Sequence, residues 1–543
     1  MDKNKIENIY LFLFFGIMLW LGLAGLWGNS LIHDYPVGYL ASDNYLHYHI
    51  AENIFEEGGY KYGSLSLSGG YPDVIGHYYA VAGHLSAVIT TISGIPTYDS
   101  LLLLIIICGV LCSLMIYFII KRYNEKVAIL SLPIATFLFA YNFYFIFLWG
   151  QYEMILATTF AILSLWAFDN IDKKWGPVAL TISLSAAFLT HTAEFLVMVG
   201  CLLTYSFLKL VLQKDFTKIK KLVIAIILSL AMVFNYVIIF LKVIIAQQGN
   251  QPFMNLASPT KDYLRTAVIS NFGYFLIILA VGLVYYLISR KYFNLALFVS
   301  LFYLVWGFLN MLGGTAGSRS IPQRFFWPVY FMPFFGYGVY FIVSKFKKKN
   351  DLLIYIVSGL LIVASVAYYH QPSQPGSLYG EDYNQLFKWI KGNTEKNSTV
   401  LFVFDNFYPQ SSTLFDTFRI NYFIDQNEYI DSLKSGMFKR EYKIYLTGES
   451  TFRFPYRESL TSFKFHFKSN EEILKTRDIC SFDYIVFSRR AEINPINQFN
   501  GLFESILLNN TQISRPYSNM NIDVLKNNDK KDCLNMDGVK IAQ

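Results

Sequence analysis

Apolar positions in this chain gather into long runs, and most of the runs are of bilayer-crossing length. A transmembrane α-helix needs roughly 20 predominantly apolar residues. Runs of suitable length read at 10–28, 100–120, 127–148, 153–169, 177–190, 192–210, 222–246, 266–288, 293–312, 322–343 and 351–369. The pattern therefore predicts about eleven transmembrane helices. The stretch from 177 to 210 is too long for one helix, and THTAE at its middle is the natural place to break it. The run at 10–28 has no small-residue cleavage site, so it reads as a membrane anchor rather than a signal peptide. From about residue 370 the pattern changes. DYNQLFKWIKGNTEKN reads as an amphipathic helix, and STVLFVFDN and FDYIVFS read as buried strands, so an α/β domain is expected over 370–543.

Composition agrees with the runs. With 54% hydrophobic and only 15% charged residues, and a mean hydropathy of +0.36, a soluble 543-residue protein is excluded. The part from 370 onward differs, carrying 21 acidic and 21 basic residues. Of five cysteines, Cys108, Cys112 and Cys201 fall inside apolar runs, which leaves only Cys480 and Cys533 able to pair outside the membrane. Asn397 in NST and Asn509 in NNT are N-glycosylation sequons. No nucleic-acid partner is expected.

Charge gives the orientation, because short cytoplasmic loops are rich in lysine and arginine. Lys3 and Lys5, Lys121–Lys126, Lys173 and Lys174, Lys209–Lys221, Arg290 and Lys291, and Lys345–Lys349 mark one side, which is read as the cytoplasm. The opposite side has only Lys61, Lys261, Arg265, Arg319 and Arg324, with Lys242 near the outer end of its span. The expected protein is a multi-pass cell-membrane protein with a cytoplasmic N-terminus and an external C-terminal domain. This alternation requires the half-apolar segment 74–95 to lie on the outer surface instead of crossing. Its Asp73, His77 and His84 then form one polar stripe, and 29–99 becomes a large external loop within a membrane domain spanning 1–369.

Ionisable residues concentrate at the outer ends of the spans. In ASDNYLHYHIAENIFEE (41–57), a helix would put Asp43 and His47 one turn apart, beside an apolar stripe of Leu46, Ile50 and Ile54. Glu153 opens the fourth span, His191 and Glu194 sit in the THTAE break, and Arg319 and Arg324 flank the start of the tenth span. Span centres carry amides such as Asn142 and Asn235 but no charge, which argues against an ion-coupled transporter. Each residue also has a plainer reading. Asp43 can be a solvated helix cap, and His47 and His77 can bond loop backbone. His191 and Glu194 can form a local cap pair, and the arginines can meet lipid headgroups or Asp262.

These residues carry a resemblance. The acidic motif in a long first external loop, Tyr71-Pro72 followed by His77, GQYE at the fourth span and the Arg324-Phe325 pair together resemble the GT-C glycosyltransferases. SDNYLHYHIAEN is also similar to the DP-x-YH-x-R motif of oligosaccharyltransferase catalytic subunits, with Asn44 in place of the proline and His49 in place of the arginine. The WWDYG signature of that family is absent.

The resemblance implies transfer of a sugar from a polyprenyl-phosphate-linked donor to a lipid-linked glycan or protein acceptor at the external face. Asp43 would be the general base of an inverting transfer, which needs no second carboxylate as nucleophile. Glu153 would assist it, and His47, His77, Arg319 and Arg324 would bind substrate. If a divalent ion such as Mg or Mn takes part, Asp43 and Glu153 would hold it. The alternatives are an oligosaccharyltransferase-like enzyme acting on proteins and a non-enzymatic lipid-glycan carrier or scaffold.

Overall fold

The structure, a computed structural model, describes residues 3–27, 30–40, 42–59, 80–140, 143, 147–148, 150–248, 269, 272–289, 294–313, 327–345, 351–369, 381–403, 419–435, 439–446, 456–457, 465–466, 474–488, 495–530 and 533. His77, Arg319 and Arg324 lie outside these residues.

The first half of the chain is helical: α1 (Lys3–Trp27), α2 (Ser42–Glu57), α3 (Val81–Ser93), α4 (Thr97–Lys121), α5 (Glu125–Ser131), α6 (Tyr152–Asp169), α7 (Gly176–Thr190), α8 (Thr192–Gln213), α9 (Thr217–Met232) and α10 (Phe234–Gln248). Next come α11 (Phe275–Ser289), α12 (Leu295–Gly313), α13 (Pro328–Val343) and α14 (Asp351–Tyr369). Taken singly, α1, α4, α6 and α8 are long and apolar enough to cross a membrane. The pair α9–α10 adds a fifth if it is one bent span, and α3, α7, α11 and α13 are shorter, at 13, 15, 15 and 16 residues.

Helix breaks fall in three places along the expected spans. THTAE divides α7 from α8 as its polarity predicts. The run at 127–148, expected as one helix, begins as α5 and tightens into a 3-10 helix over Leu132–Phe139 with Pro133 near its start. A proline inside an α-helix removes a backbone hydrogen bond and clashes with the preceding turn. The run at 222–246 is two helices bent by 79° at Val233. The described part of 74–95, residues 80–95, contains the thirteen-residue α3.

Contact density divides the chain into two compact units. One comprises 1–33, 79–238 and 252–375. Here α6 packs on α4, α7 and α8, and α13 packs on α5 and α11. The crossing of α11 and α13 brings their backbones into contact: a Cβ on Gly282 would overlap the Phe334 carbonyl, and one on Gly338 would overlap the Ile278 carbonyl. Close approach at small residues is how helices associate where no hydrophobic effect drives them together. At the ends of α4, Asp99 accepts from the backbone N–H (2.8 Å) and Nδ1 (3.0 Å) of His33, and Lys121 pairs with Glu7 at 2.5 Å. In the basic loops, Arg122 pairs with Asp169 at 2.5 Å and Lys221 with Asp172 at 2.8 Å.

The other unit comprises 34–78, 239–251 and 376–543. It holds α2 together with α15 (Glu381–Asn393), β1 (Thr399–Val403), β2 (Ile420–Ile424), α16 (Gln426–Lys434), β3 (Glu441–Leu446), β4 (Tyr456–Arg457), β5 (Phe465–His466), β6 (Lys475–Asp478), β7 (Tyr484–Ser488), α17 (Pro495–Leu508), β8 (Ile513–Ser518) and β9 (Ile522–Asn527). Among the described residues, seven strands form one mixed sheet in the order β6-β3-β2-β1-β7-β9-β8, with β1 parallel to both β2 and β7. The central strands are the two read from sequence. Leu401, Val403, Ile485 and Phe487 enter a core with Tyr429, Tyr442 and Phe503, and strands covered on both faces read as continuous apolar runs. A disulfide joins Cys480 to Cys533, while Cys108, Cys112 and Cys201 are free and buried.

Candidate functional site

The expected site residues among the described ones divide between the two units. Asp43 and His47 lie on α2 in the unit that contains the sheet, and Glu153 lies on α6 in the helical unit.

The helix expected over 41–57 forms as α2. Asp43 is in its first turn, where unpaired backbone N–H groups favour negative charge. Leu46, Ile50 and Ile54 are buried as the stripe predicted, yet Asn44, His47, His49 and Asn53 are buried as well. A surface helix with one solvated face would leave those polar residues wet, and here they are buried. Asp43 itself is half-buried. Aromatic stacking steadies the helix start, with Tyr39 5.4 Å from Tyr45 and 6.3 Å from Tyr48 between ring centroids.

The far end of α2 is gripped by charge. Lys391 of α15 pairs with Glu52 and with Glu56, both at 2.8 Å. Burial opposes the lysine charge, but the two carboxylates outweigh it and raise its pKa above the ordinary lysine value. His49 is held well below the histidine range, first by burial and then by the Lys391 ammonium, so it is neutral at physiological pH. None of this grip is visible in the sequence motif, because Lys391 stands 339 residues from Glu52.

In the helical unit, Glu153 occupies the first turn of α6 and is 7% exposed. Gly150, at a φ of 75°, supplies the left-handed turn that leads into this helix. His191 adopts an extended conformation between α7 and α8, and its Nδ1 accepts from the Glu194 N–H at 3.4 Å. It thus serves as the helix cap its spacing suggested. Glu194 is buried in the first turn of α8, and α6 and α8 pack together.

Sequence reasoning passed over the aromatic residues near these acids. Tyr303 and Tyr330 stack with ring centroids 3.6 Å apart. Tyr330 donates to Thr158 of α6 at 3.4 Å, and Ser300 donates to the Tyr330 carbonyl at 2.6 Å. Glu194 is near enough to act electrostatically on both tyrosines. The sequence offered no signal for this cluster, since Tyr and Phe are abundant throughout the membrane part.

Among the described residues, no three His, Cys, Asp or Glu side chains gather to hold an ion.

Comparison with solved structures gives the fold a class. The chain resembles the oligosaccharyltransferase of Archaeoglobus fulgidus (TM-score 0.54, 12% identity), over 77% of this chain and 65% of that one. It resembles ArnT of Cupriavidus metallidurans, solved with undecaprenyl phosphate, over 95% of this chain and 97% of that one (TM-score 0.53, 12% identity). It also resembles the mycobacterial arabinofuranosyltransferase AftD over 96% of this chain and 40% of that one (TM-score 0.54, 10% identity). No protein-family model and no curated protein matches the sequence. The chain shares its fold with these three solved structures.

Proposed function

We propose that this chain is a membrane glycosyltransferase that moves a sugar from a polyprenyl-phosphate-linked donor to an acceptor at the external face of the membrane. The observation that carries the reading is the end-to-end likeness to ArnT, which was solved with undecaprenyl phosphate. The position of Asp43 in the first turn of α2 adds to it.

Asp43 takes the proton of the acceptor hydroxyl, whose oxygen attacks the anomeric carbon as the bond from that carbon to the phosphate oxygen breaks. Configuration inverts, and the lipid phosphate leaves with the bonding pair. Arg319 and Arg324 neutralise the departing charge, since a guanidinium fork suits phosphate oxygens and stays charged at any physiological pH. His47 and His77 bind substrate, and Glu153 positions it. Eleven spans with a cytoplasmic N-terminus and external C-terminal domain complete the proposal. The Cys480–Cys533 disulfide favours that placement, because such bonds persist in oxidising compartments.

A protein acceptor is the second reading, favoured by the likeness to the archaeal oligosaccharyltransferase. The chain spans only 65% of that enzyme and lacks WWDYG.

The test supplies membranes holding the protein with labelled polyprenyl-phosphate sugars. Labelled product is expected from a lipid-phosphate donor and none from a nucleotide-sugar. Arg324→Ala should weaken donor use, and Arg324→Lys should restore it in part. Transfer from a nucleotide-sugar alone would overturn the reading.

A further inference from the structure

The unit built around the mixed sheet carries a device that the transfer chemistry above leaves unused. Lys391 and Lys388 lie one turn apart on α15, and both reach the 34–57 stretch. The Lys388 ammonium donates to the Asp34 carbonyl, and Lys391 bridges Glu52 and Glu56 at 2.8 Å each. The base of this grip is itself fixed. Arg419, which precedes β2, donates from Nη2 to the carbonyls of Lys391 (2.8 Å) and Thr394 (2.7 Å), and from Nε to the Thr394 hydroxyl (2.8 Å). These bonds satisfy carbonyls at the end of α15 that the helix leaves without partners. Arg419 is 7% exposed, so the base of the clamp is built into the sheet domain, while the Lys391–Glu56 pair reaches the surface.

Helical geometry gives the grip a direction. At about 100° per residue, Glu52 and Glu56 lie roughly 180° around α2 from Asp43 and His47. Lys391 thus holds the helix by the face opposite the candidate base. Glu52 and Glu56 are also one turn apart, so without a cation between them they repel.

We infer that Lys391 is a positioning residue: by clasping Glu52 and Glu56 from behind, it fixes the rotation and setting of α2, and so makes the sheet domain a necessary part of the transfer site. This rests on the proposed function with Asp43 as base. A catalytic group displaced by about 1 Å can cost 10²-fold in rate, so an error in α2 should appear in kcat before it appears in folding.

The experiment uses the full-length protein in lipid nanodiscs, with hydrogen exchange of 42–57 measured beside transfer kinetics on a labelled polyprenyl-phosphate sugar. Lys391→Met is expected to speed exchange across 42–57 and lower kcat by tenfold or more at nearly unchanged donor KM. Lys391→Arg should keep most of the activity. Glu52→Gln with Glu56→Gln, which removes the partners together with their repulsion, should also speed exchange and lower kcat. Charge reversal by Lys391→Glu with Glu52→Lys and Glu56→Lys should recover exchange protection and kcat relative to Lys391→Glu alone. Unchanged exchange in Lys391→Met overturns the clasp whatever the activity. Faster exchange with unchanged kcat overturns the positioning role. A wild-type protein inactive with every donor defeats the function reading, and the exchange data then judge the clasp alone.

Discussion

The two acid-bearing regions are built in opposite ways. In the helical unit, Glu153 and Glu194 each stand in the first turn of a helix, and His191 caps the second, so local chain geometry contributes to the placing of all three. In the unit with the sheet, α2 is held by Lys391 from α15, more than 300 residues along the chain, and Lys388 holds Asp34 ahead of it. A residue set by its own helix tolerates change elsewhere, whereas one set by a distant lysine depends on the folding of a whole domain. The comparison therefore predicts that damage to the sheet domain reaches the candidate base, while Glu153 and Glu194 keep their local support.

The largest effect should separate the two regions by chemistry. Asp43→Asn keeps the shape of the side chain but cannot accept a proton, and loss of a general base lowers rate by about a hundred- to ten-thousand-fold. Glu153→Gln is expected to cost less, because a positioning carboxylate contributes less than a base. Transfer assays on both variants check this, with insertion and donor binding measured alongside. Near-normal turnover in Asp43→Asn would remove α2 from the chemistry.

A smaller effect tests the dependence of α2 on its domain. The Cys480–Cys533 bond closes a loop of 53 residues, and cross-links of this kind stabilise by about 2–4 kcal/mol. Cys480→Ser with Cys533→Ser should lower the denaturation midpoint of the sheet domain and speed hydrogen exchange in 42–57, with no change in the amides of α6 and α8. Equal loosening of both units would contradict the comparison.

How much was legible follows the same division. The THTAE break could be read because a histidine and a glutamate interrupt 34 apolar-rich positions, and the residue types that break the helix also cap it. STVLFVFDN and FDYIVFS could be read because central strands covered on both faces leave unbroken apolar runs. The bend at Val233 could not, since no glycine or proline stands near it. The burial of α2 on its polar side was also hidden. Its sequence looks amphipathic, yet His49 and Asn53 are buried, and Glu52 is paired by Lys391 of α15. Asp43 and His47 were legible as a pair on one helical turn, but Lys391 had no local signature beyond one charge on an amphipathic helix.

The smallest expected effect is a pH dependence that reads the environment of α2 directly. His49 is buried beside Lys391 and held well below its ordinary value, so the folded protein keeps it neutral where the unfolded chain takes up a proton. Stability then rises with pH wherever the unfolded state binds more protons. The His49 contribution is therefore present above the unfolded histidine value of about 6.5 and is lost progressively as pH falls below it. The other shifted groups in this unit act elsewhere: Lys391 is raised and matters only in strongly alkaline solution, and Asp483, lowered despite burial by Lys530 and Thr399, matters only near the carboxylate range. In the helical unit, burial lowers His84 in the same direction, so a comparison variant is needed. Between about pH 8 and 5, the denaturation midpoint of His49→Gln should respond to acidification less steeply in the destabilising direction than that of the wild type, with the His84 contribution common to both. A midpoint that declines identically in wild type and His49→Gln would mean that the neutral histidine beside Lys391 contributes nothing to holding α2.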